Sequence, residues 1–334
     1  MDSTHSAEDL LHLARGVLEA AGAPPASAAL VAESLVESNL RGHDSHGVLR
    51  LTRYVQFISE QRLDPEAEPE VIDRHGAVCT VDGRNGFGQV AARNAVEELA
   101  ALTREHSAGA AAIRNANHVG RLGEWVEALA DQGLVALAFC NADPTVAPFG
   151  GRERRLGTNP LAWAAPRKKP AAALVMDWST AAMAEGKLAV AKARGEPVPE
   201  GVVVDKHGKP SQDPNAFYDG GALLPFGAHK GSGLSVMIQL VGGLLAGTGV
   251  FGEQGASANG TVLVALDIAA FTTRDEFEAQ AEAFCVALAG TKPASGFDAV
   301  LVPGEIEQRT RAERARDGVP VPAATWSELQ GLRG

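Results

Sequence analysis

Apolar residues recur every three to four positions through the first sixty residues, a spacing that predicts helices. Ser6 and Asp9 stand where a capping box would start the first of them, which runs through Leu18. A second helix is predicted over 27–40, ending before Gly42. A third is predicted over 47–59, with Val48, Leu51, Val55 and Ile58 on one side. A Pro/Glu-rich linker at 64–69 then marks a change of subdomain. From residue 71 the pattern shifts to short apolar runs, at 77–81, 110–113, 134–139, 161–165, 174–176, 262–266 and 299–302, which read as strands. Helical stretches at 90–105, 121–132, 182–194, 231–245 and 274–289 lie between some of them. The result is an α/β chain whose helices cover a sheet. Strands and helices do not alternate regularly, so the sheet is expected to be mixed rather than purely parallel. The stretch 249–260 is rich in Gly, Ser and Asn and reads as an exposed loop.

Composition narrows the classes of function. The net charge is −11 over 334 residues, without the basic face that nucleic acid requires. No apolar stretch reaches the roughly 18–20 residues that span a bilayer, so no membrane partner is expected. The first five residues carry neither a basic start nor an apolar core, so no leader is expected. Cys79, Cys140 and Cys285 are odd in number, widely spaced and set in apolar runs, as reduced thiols of a cytoplasmic protein would be.

One motif misleads. Gly247-Thr-Gly249-Val-Phe-Gly252 matches GxGxxG, but a dinucleotide turn needs a strand before it and a helix after it. Here a helix precedes and a loop follows, so a glycine-rich helix exit is the better reading.

Three other clusters carry chemistry. Arg41-Gly-His43-Asp44-Ser45-His46-Gly47 sits between two predicted helices, where Ser45 or Asp44 would cap the third. His46, Arg50 and Tyr54 follow at i, i+4 and i+8, which puts a guanidinium able to grip a carboxylate beside an imidazole and a phenol. Spacing alone does not separate that reading from a capped helix with a solvated polar face. His118, in Asn115-Ala-Asn117-His118-Val-Gly120, falls at a strand-to-helix turn. There it would serve as general acid/base or merely cap the helix. His43, His46 and His118 lack the acid and helix context of a zinc site, so no metal is expected. Finally, Phe226-Gly-Ala228-His229-Lys230-Gly231 runs into a helix, gathering backbone N–H groups and a cation suited to an anion.

Taken together and in order, these segments are more specific than any one motif. Residues 39–47, Val81-Asp-Gly83 with Gly86-Phe-Gly88, 117–120, Pro148-Phe-Gly-Gly151, Gly157-Thr-Asn-Pro160, Gly195-Glu-Pro-Val-Pro199, 223–231, and Ser295-Gly-Phe-Asp with Val302-Pro-Gly-Glu305 resemble the malate/L-lactate/ureidoglycolate dehydrogenase family. The resemblance covers roughly residues 10–315 and takes in the branch that reduces cyclic imino acids. It implies a homodimeric NAD- or NADP-dependent oxidoreductase of small 2-hydroxy/2-oxo acids. The fold implied is a helical N-terminal part with a mixed, largely antiparallel sheet, not a Rossmann fold. Residues 1–70 would form the substrate side, packing with a segment of about 290–334, and 71–290 would bind the cofactor. His118 would be the acid/base with His46 as the second catalytic histidine, and Ser45, Arg50 and Tyr54 would surround the substrate. Asp143, Thr158, Asn159, Asp177, Trp178, Ser179, Thr180, His229, Lys230, Pro303, Gly304 and Glu305 would hold the dinucleotide.

The chain departs from that pattern in places. The family usually reads Asp-Met/Phe-Ala-Thr-Ser where this chain has Asp177-Trp178-Ser179-Thr180-Ala181, and Ala228 replaces a common Gly. If that position needs φ > 0, the alanine costs about 1 kcal/mol. Two other functions stay open: reduction of a cyclic imine such as Δ1-piperideine- or Δ1-pyrroline-2-carboxylate, and non-catalytic dinucleotide binding. Retention of His46, Arg50, His118 and Lys230 together speaks against the last.

Overall fold

A computed structural model describes residues 2–249 and 259–333. The chain opens with β1 (Asp2–His5), followed by α1 (Ala7–Ala20), α2 (Pro25–Leu40) and α3 (Arg50–Ser59). The predicted start of α1 forms as read: Ser6 Oγ accepts from the Asp9 amide at 3.0 Å and donates to the Asp9 carboxylate at 2.7 Å. The predicted cap of α3 does not form. Residues 44–46 make a separate 3₁₀ turn, and α3 begins at Arg50 with no side-chain cap. Asn39 organises this junction instead, its Oδ1 accepting from the Val48 amide at 2.8 Å. Gly47 lies so close that a Cβ would come within 2.1 Å of that oxygen.

The sheet region follows: β2 (Glu70–His75), β3 (Val78–Asp82), α4 (Gly88–His106), β4 (Ala108–Arg114), α5 (Leu122–Ala130), β5 (Leu134–Cys140), β6 (Leu161–Ala165) and β7 (Leu174–Trp178). Next come α6 (Glu185–Arg194), β8 (Val203–Val204), β9 (Pro210–Ser211), α7 (Asn215–Tyr218), β10 (Ala222–Leu223) and α8 (His229–Ile238). The end of the chain adds β11 (Thr261–Asp267), α9 (Arg274–Ala289), α10 (Glu305–Asp317), β12 (Val319–Pro322) and α11 (Ala323–Gly331). Seven strands form the central sheet in the order β2-β3-β4-β11-β5-β6-β7. Only β3 and β4 run parallel; every other neighbouring pair is antiparallel. The sheet is thus mixed and largely antiparallel, with α4 and α5 burying Leu99, Trp125 and Leu129 against it.

Several sequence readings need correction. The run at 299–302 is not a strand: Val302 packs as coil against Leu174 and Cys285, and its amide donates to the Glu305 carboxylate. The helix predicted over 231–245 divides at Ile238 into α8 and a π-helical turn, Gln239–Leu245. That turn lays Gly242 where a Cβ would come 3.0 Å from the Phe139 carbonyl oxygen. The GxGxxG match at 247–252 and the loop read over 249–260 fall largely outside the described residues. The small sheet β10-β8-β9, with its own core of Leu188, Val203, Phe217 and Leu223, was not legible because two-residue strands carry no period.

The two ends of the chain meet. β1 pairs antiparallel with β12, and Val319, Val321 and Leu329 enter the core of α1–α3. Val302 packs against Leu174 of β7 and Cys285 of α9, and α10 reaches back to the N-terminal helices. There Arg311 reaches Glu37 and Arg314 reaches Asn39 and Asp44.

Candidate active site

His118 lies in the loop from β4 to α5, and the sequence holds that loop tightly. Asn117 is buried and donates to the carbonyls of Arg62, Asn85 and Gly86, tying the loop to the chain ahead of α4. Trp125 Nε1 donates to the Val119 carbonyl at 2.8 Å. Gly88 opens α4 directly beneath, where a Cβ would stand 2.2 Å from the Asn117 carbonyl oxygen and 2.5 Å from that of His118. Only glycine permits that approach.

The ring of His118 is then fixed from the helical side. The Tyr54 hydroxyl on α3 lies 2.7 Å from His118 Nδ1, and Gln89 Nε2 on α4 donates to the same hydroxyl at 2.8 Å. His118 Nε2 is shielded from solvent and has no hydrogen-bond partner among the described residues. The His46 ring stands 5.2 Å from that of His118, centroid to centroid, with its Nδ1 3.0 Å from Ser45 Oγ. Arg50 Nε donates to the Ser45 carbonyl at 2.7 Å, and among the described residues its guanidinium makes no ion pair.

Electrostatics follow from that layout. Burial, aided by the Arg50 cation and by His46, holds the His118 imidazole well below its usual range. Burial pulls His46 down to about 3, with Arg50, His43 and Arg121 adding to it. Burial pushes the Tyr54 phenol up to about 12, so it stays a neutral hydroxyl. An unneutralised guanidinium beside neutral imidazoles is a ready receptor for a carboxylate. The bare Nε2 supplies a site for proton exchange with an oxygen.

Of the expected substrate-side residues, Ser45, His46 and Arg50 converge with His118. Tyr54 joins them from within: it is 2 % exposed, and its hydroxyl is held between His118 Nδ1 and Gln89 Nε2.

The expected cofactor residues divide. Asp177 and Gly304 line one small cleft with Arg41, His43, Arg121, Val175 and Glu307. The Asp177 carboxylate accepts from the Gly123 amide at 2.7 Å, and burial raises its pKa. Arg121 is buried, and its Nε lacks a partner. Asn159 and Thr180, by contrast, are spent internally. Asn159 accepts from the Ala142 amide and donates to Ser235 and Gln239. Thr180 Oγ1 donates to the carbonyls of Thr158 and Asn159, and Ser179 Oγ also donates to that of Thr158. Both Asn159 and Thr180 are fully buried: Asn159 ties its segment to Ala142, α8 and the turn after it, and Thr180 ties the chain after β7 to residues 158–159. The Glu305 carboxylate accepts from the Val302 amide just ahead of α10 and pairs with Arg309, while Glu307 joins Asp177 as the acids in the cleft. Pro303 precedes Gly304 at the entry to α10, and Trp178 ends β7 opposite Leu161.

Asp143, His229 and Lys230 are exposed, and the His229 ring packs edge-on against Phe149. Among the described residues no hydrogen bond or ion pair joins them to the His118 group. Ala228 does take a positive φ, of 55°. Sequence reasoning missed Gln89, Arg121 and Glu307. Gln89 directly follows the Gly86-Phe-Gly88 motif, which was the available signal; Arg121 and Glu307 had none beyond charge.

The whole chain has relatives. Residues 5–330 match the malate/L-lactate dehydrogenase family. An L-lactate dehydrogenase from Cupriavidus necator is 37% identical, over 96% of this chain and 94% of its own. The solved malate dehydrogenase from Entamoeba histolytica superposes with a TM-score of 0.94 at 26% identity, over 99% of this chain and 97% of its own. The Δ1-piperideine-2-carboxylate reductase from Pseudomonas syringae superposes with a TM-score of 0.88 at 34% identity, over 99% of both chains.

Proposed function

The chain belongs to the malate/L-lactate dehydrogenase family, and from that premise we propose that it interconverts a small 2-hydroxy acid and its 2-oxo acid using NAD or NADP, with His118 as the acid/base. The observation that carries the reading is the bare, shielded Nε2 of His118 near the Arg50 guanidinium, which makes no ion pair among the described residues. The residues around Asp177 fit a dinucleotide. Among the described residues Arg121 offers an orphaned buried donor, and Gly123 lets that guanidinium and Asp177 close in, since a Cβ there would stand 2.4 Å from Arg121 Nη1. Asp177, Gly304, Arg121 and Glu307 would hold the polar parts of the cofactor, which supplies or accepts the hydride when bound.

The chain's own groups do the rest. Arg50 holds the substrate carboxylate through its two terminal nitrogens, which sets the 2-carbon in one orientation. On reduction the imidazolium of His118 gives its Nε2 proton to the 2-oxo oxygen and is left neutral, and on oxidation the neutral ring takes the 2-hydroxyl proton at Nε2. Ser45 and His46 close the same side of the pocket. The likeness to the piperideine-2-carboxylate reductase favours a second substrate class, since the same acid would protonate an imine nitrogen.

Exposed Phe271, Phe284 and Phe297 along α9 and its flanks support a homodimer. Among the described residues no helix is long and apolar enough to cross a membrane, and the three buried free thiols support a cytoplasmic setting. The test follows nicotinamide absorbance with NADH and NADPH against pyruvate, oxaloacetate, phenylpyruvate and a cyclic imino acid, in wild type and His118→Ala. Turnover of a 2-oxo acid that is lost in the variant supports the reading; turnover of the imine alone moves the assignment to the second class. Unchanged turnover in His118→Ala removes His118 from the chemistry.

A further inference from the structure

We propose that Gln89 is a positioning residue whose amide orientation, passed through the Tyr54 hydroxyl, selects which ring nitrogen of His118 carries the proton. The inference rests on the reading of His118 as the acid/base. Three groups stand in line: Gln89 Nε2 is 2.8 Å from Tyr54 Oη, which is 2.7 Å from His118 Nδ1. Gln89 has no exposed surface and Tyr54 almost none, so solvent does not reach the line.

The hydroxyl has one hydrogen to give. With the amide N–H turned toward it, the hydroxyl accepts from Gln89 and donates to His118 Nδ1. The neutral ring must then carry its proton at Nε2. In that form Nε2 can donate a hydrogen bond to a carbonyl but cannot take a proton from a hydroxyl.

Turning the amide by half a revolution about its Cγ–Cδ bond presents Oε1 instead. The Tyr54 hydroxyl then donates to Gln89 and accepts from His118 Nδ1–H, which leaves the lone pair at Nε2. That is the base that oxidation requires. When Nε2 then takes the substrate proton, the imidazolium keeps its bond to Tyr54 without rearrangement.

The two orientations are close in energy for a reason visible in the structure. Gln89 Oε1 is buried without a partner as the amide now stands, and after the turn the NH₂ group would occupy the same bare position. Each orientation leaves one amide group unsatisfied, so both are accessible, and the one that Gln89 adopts sets the His118 tautomer. The charged and titratable groups that face His118 are Arg50 of α3 and His46 of the preceding turn, with Glu124 of α5 acting on Tyr54. Among the described residues none of these bonds to Nδ1, so Tyr54 is the group that sets the tautomer.

The test reads the ring nitrogens of His118 directly, in protein labelled with 15N-histidine and free of cofactor and substrate. It is run above the titration of the ring, with the signals assigned from their loss in His118→Ala. Gln89→Met keeps the shape and removes both amide functions, so the Tyr54 hydrogen has only Nδ1 to bond. The expected result is a wild-type ring averaged between the two tautomers and a Gln89→Met ring shifted to the Nε2–H form. Hydroxy-acid oxidation in Gln89→Met should show kcat reduced about tenfold with KM unchanged. Tyr54→Phe, which cuts the line, should move the ring nitrogens whether or not Gln89→Met folds. Ring shifts in the folded variants that coincide with wild type overturn the proposal. Activity retained in His118→Ala would instead overturn the acid/base reading while the tautomer measurement stands.

Discussion

Arg314 of α10 donates from Nη1 and Nη2 to the two carboxylate oxygens of Asp44, at 2.6 and 3.0 Å, across 270 residues of chain. The same guanidinium reaches the Asn39 carbonyl, and Asn39 Nδ2 donates to Asp44 at 2.7 Å. The turn that carries Ser45 and His46 is therefore clamped from the C-terminal end of the chain. Arg314→Ala should raise KM for the 2-oxo acid several-fold and cost about 1 kcal/mol, the exposed side of the pair being screened. Thermal unfolding and substrate titration check it; an unchanged KM would show the clamp to be structural only.

Arg50→Ala removes a cation that has no carboxylate partner among the described residues. With two charge-assisted hydrogen bonds to the substrate lost, kcat/KM should fall about 100-fold, largely through KM. The same cation disfavours the imidazolium of His118 and His46. Its loss raises their pKa, so the acid limb of the rate profile should move to higher pH. A limb that stays in place would mean that Arg50 does not act on these rings.

Gly88→Ala drives a methyl group into the carbonyls of Asn117 and His118. A shift of about 1 Å in the acid/base is enough to cost on the order of 100-fold in kcat. The protein should remain folded with a lowered Tm. Full activity in this variant would show that the loop absorbs the methyl without moving His118.

Ala228 holds φ 55° and ψ −126°, a conformation open to glycine and strained for alanine. Ala228→Gly should stabilise by about 1 kcal/mol, roughly 2 °C in Tm for a chain of this size. No rise in a calorimetric scan would place the relief of that strain elsewhere.

Acid should destabilise the fold through its buried histidines. Burial, with Arg121 and Arg41, lowers His43 to about 4, and His46 sits at about 3. Unfolded, each titrates near 6.5, so below that pH the unfolded chain binds protons that the folded one refuses. Stability then falls from about pH 6.5 down to the folded values. Glu124 and Asp177, whose pKa values burial raises, act in the opposite sense from about pH 4 upward. Tm measured from pH 7.5 to 4.5 should decline less steeply in His43→Gln than in wild type; parallel curves would exclude His43 as a cause.

The sequence by itself determined the local elements and the class of chemistry. Helical period and the Ser6 cap located α1, apolar runs located β5, β6 and β11, and the ordered motifs marked His118, Arg50 and the family. These signals are legible because each is set by burial of near neighbours along the chain. Tertiary structure decided what the polar side chains do. Tyr54 follows Arg50 by one helical turn, yet the partners of its hydroxyl are 64 and 35 residues away, on the loop after β4 and on α4. Asn159 and Thr180 carry the motif of a ligand site yet turn inward, because α8, the turn after it and the segment before β6 offer them buried partners. A polar side chain bonds whatever the fold brings within about 3 Å of it, and that neighbour is not written in its own stretch of sequence.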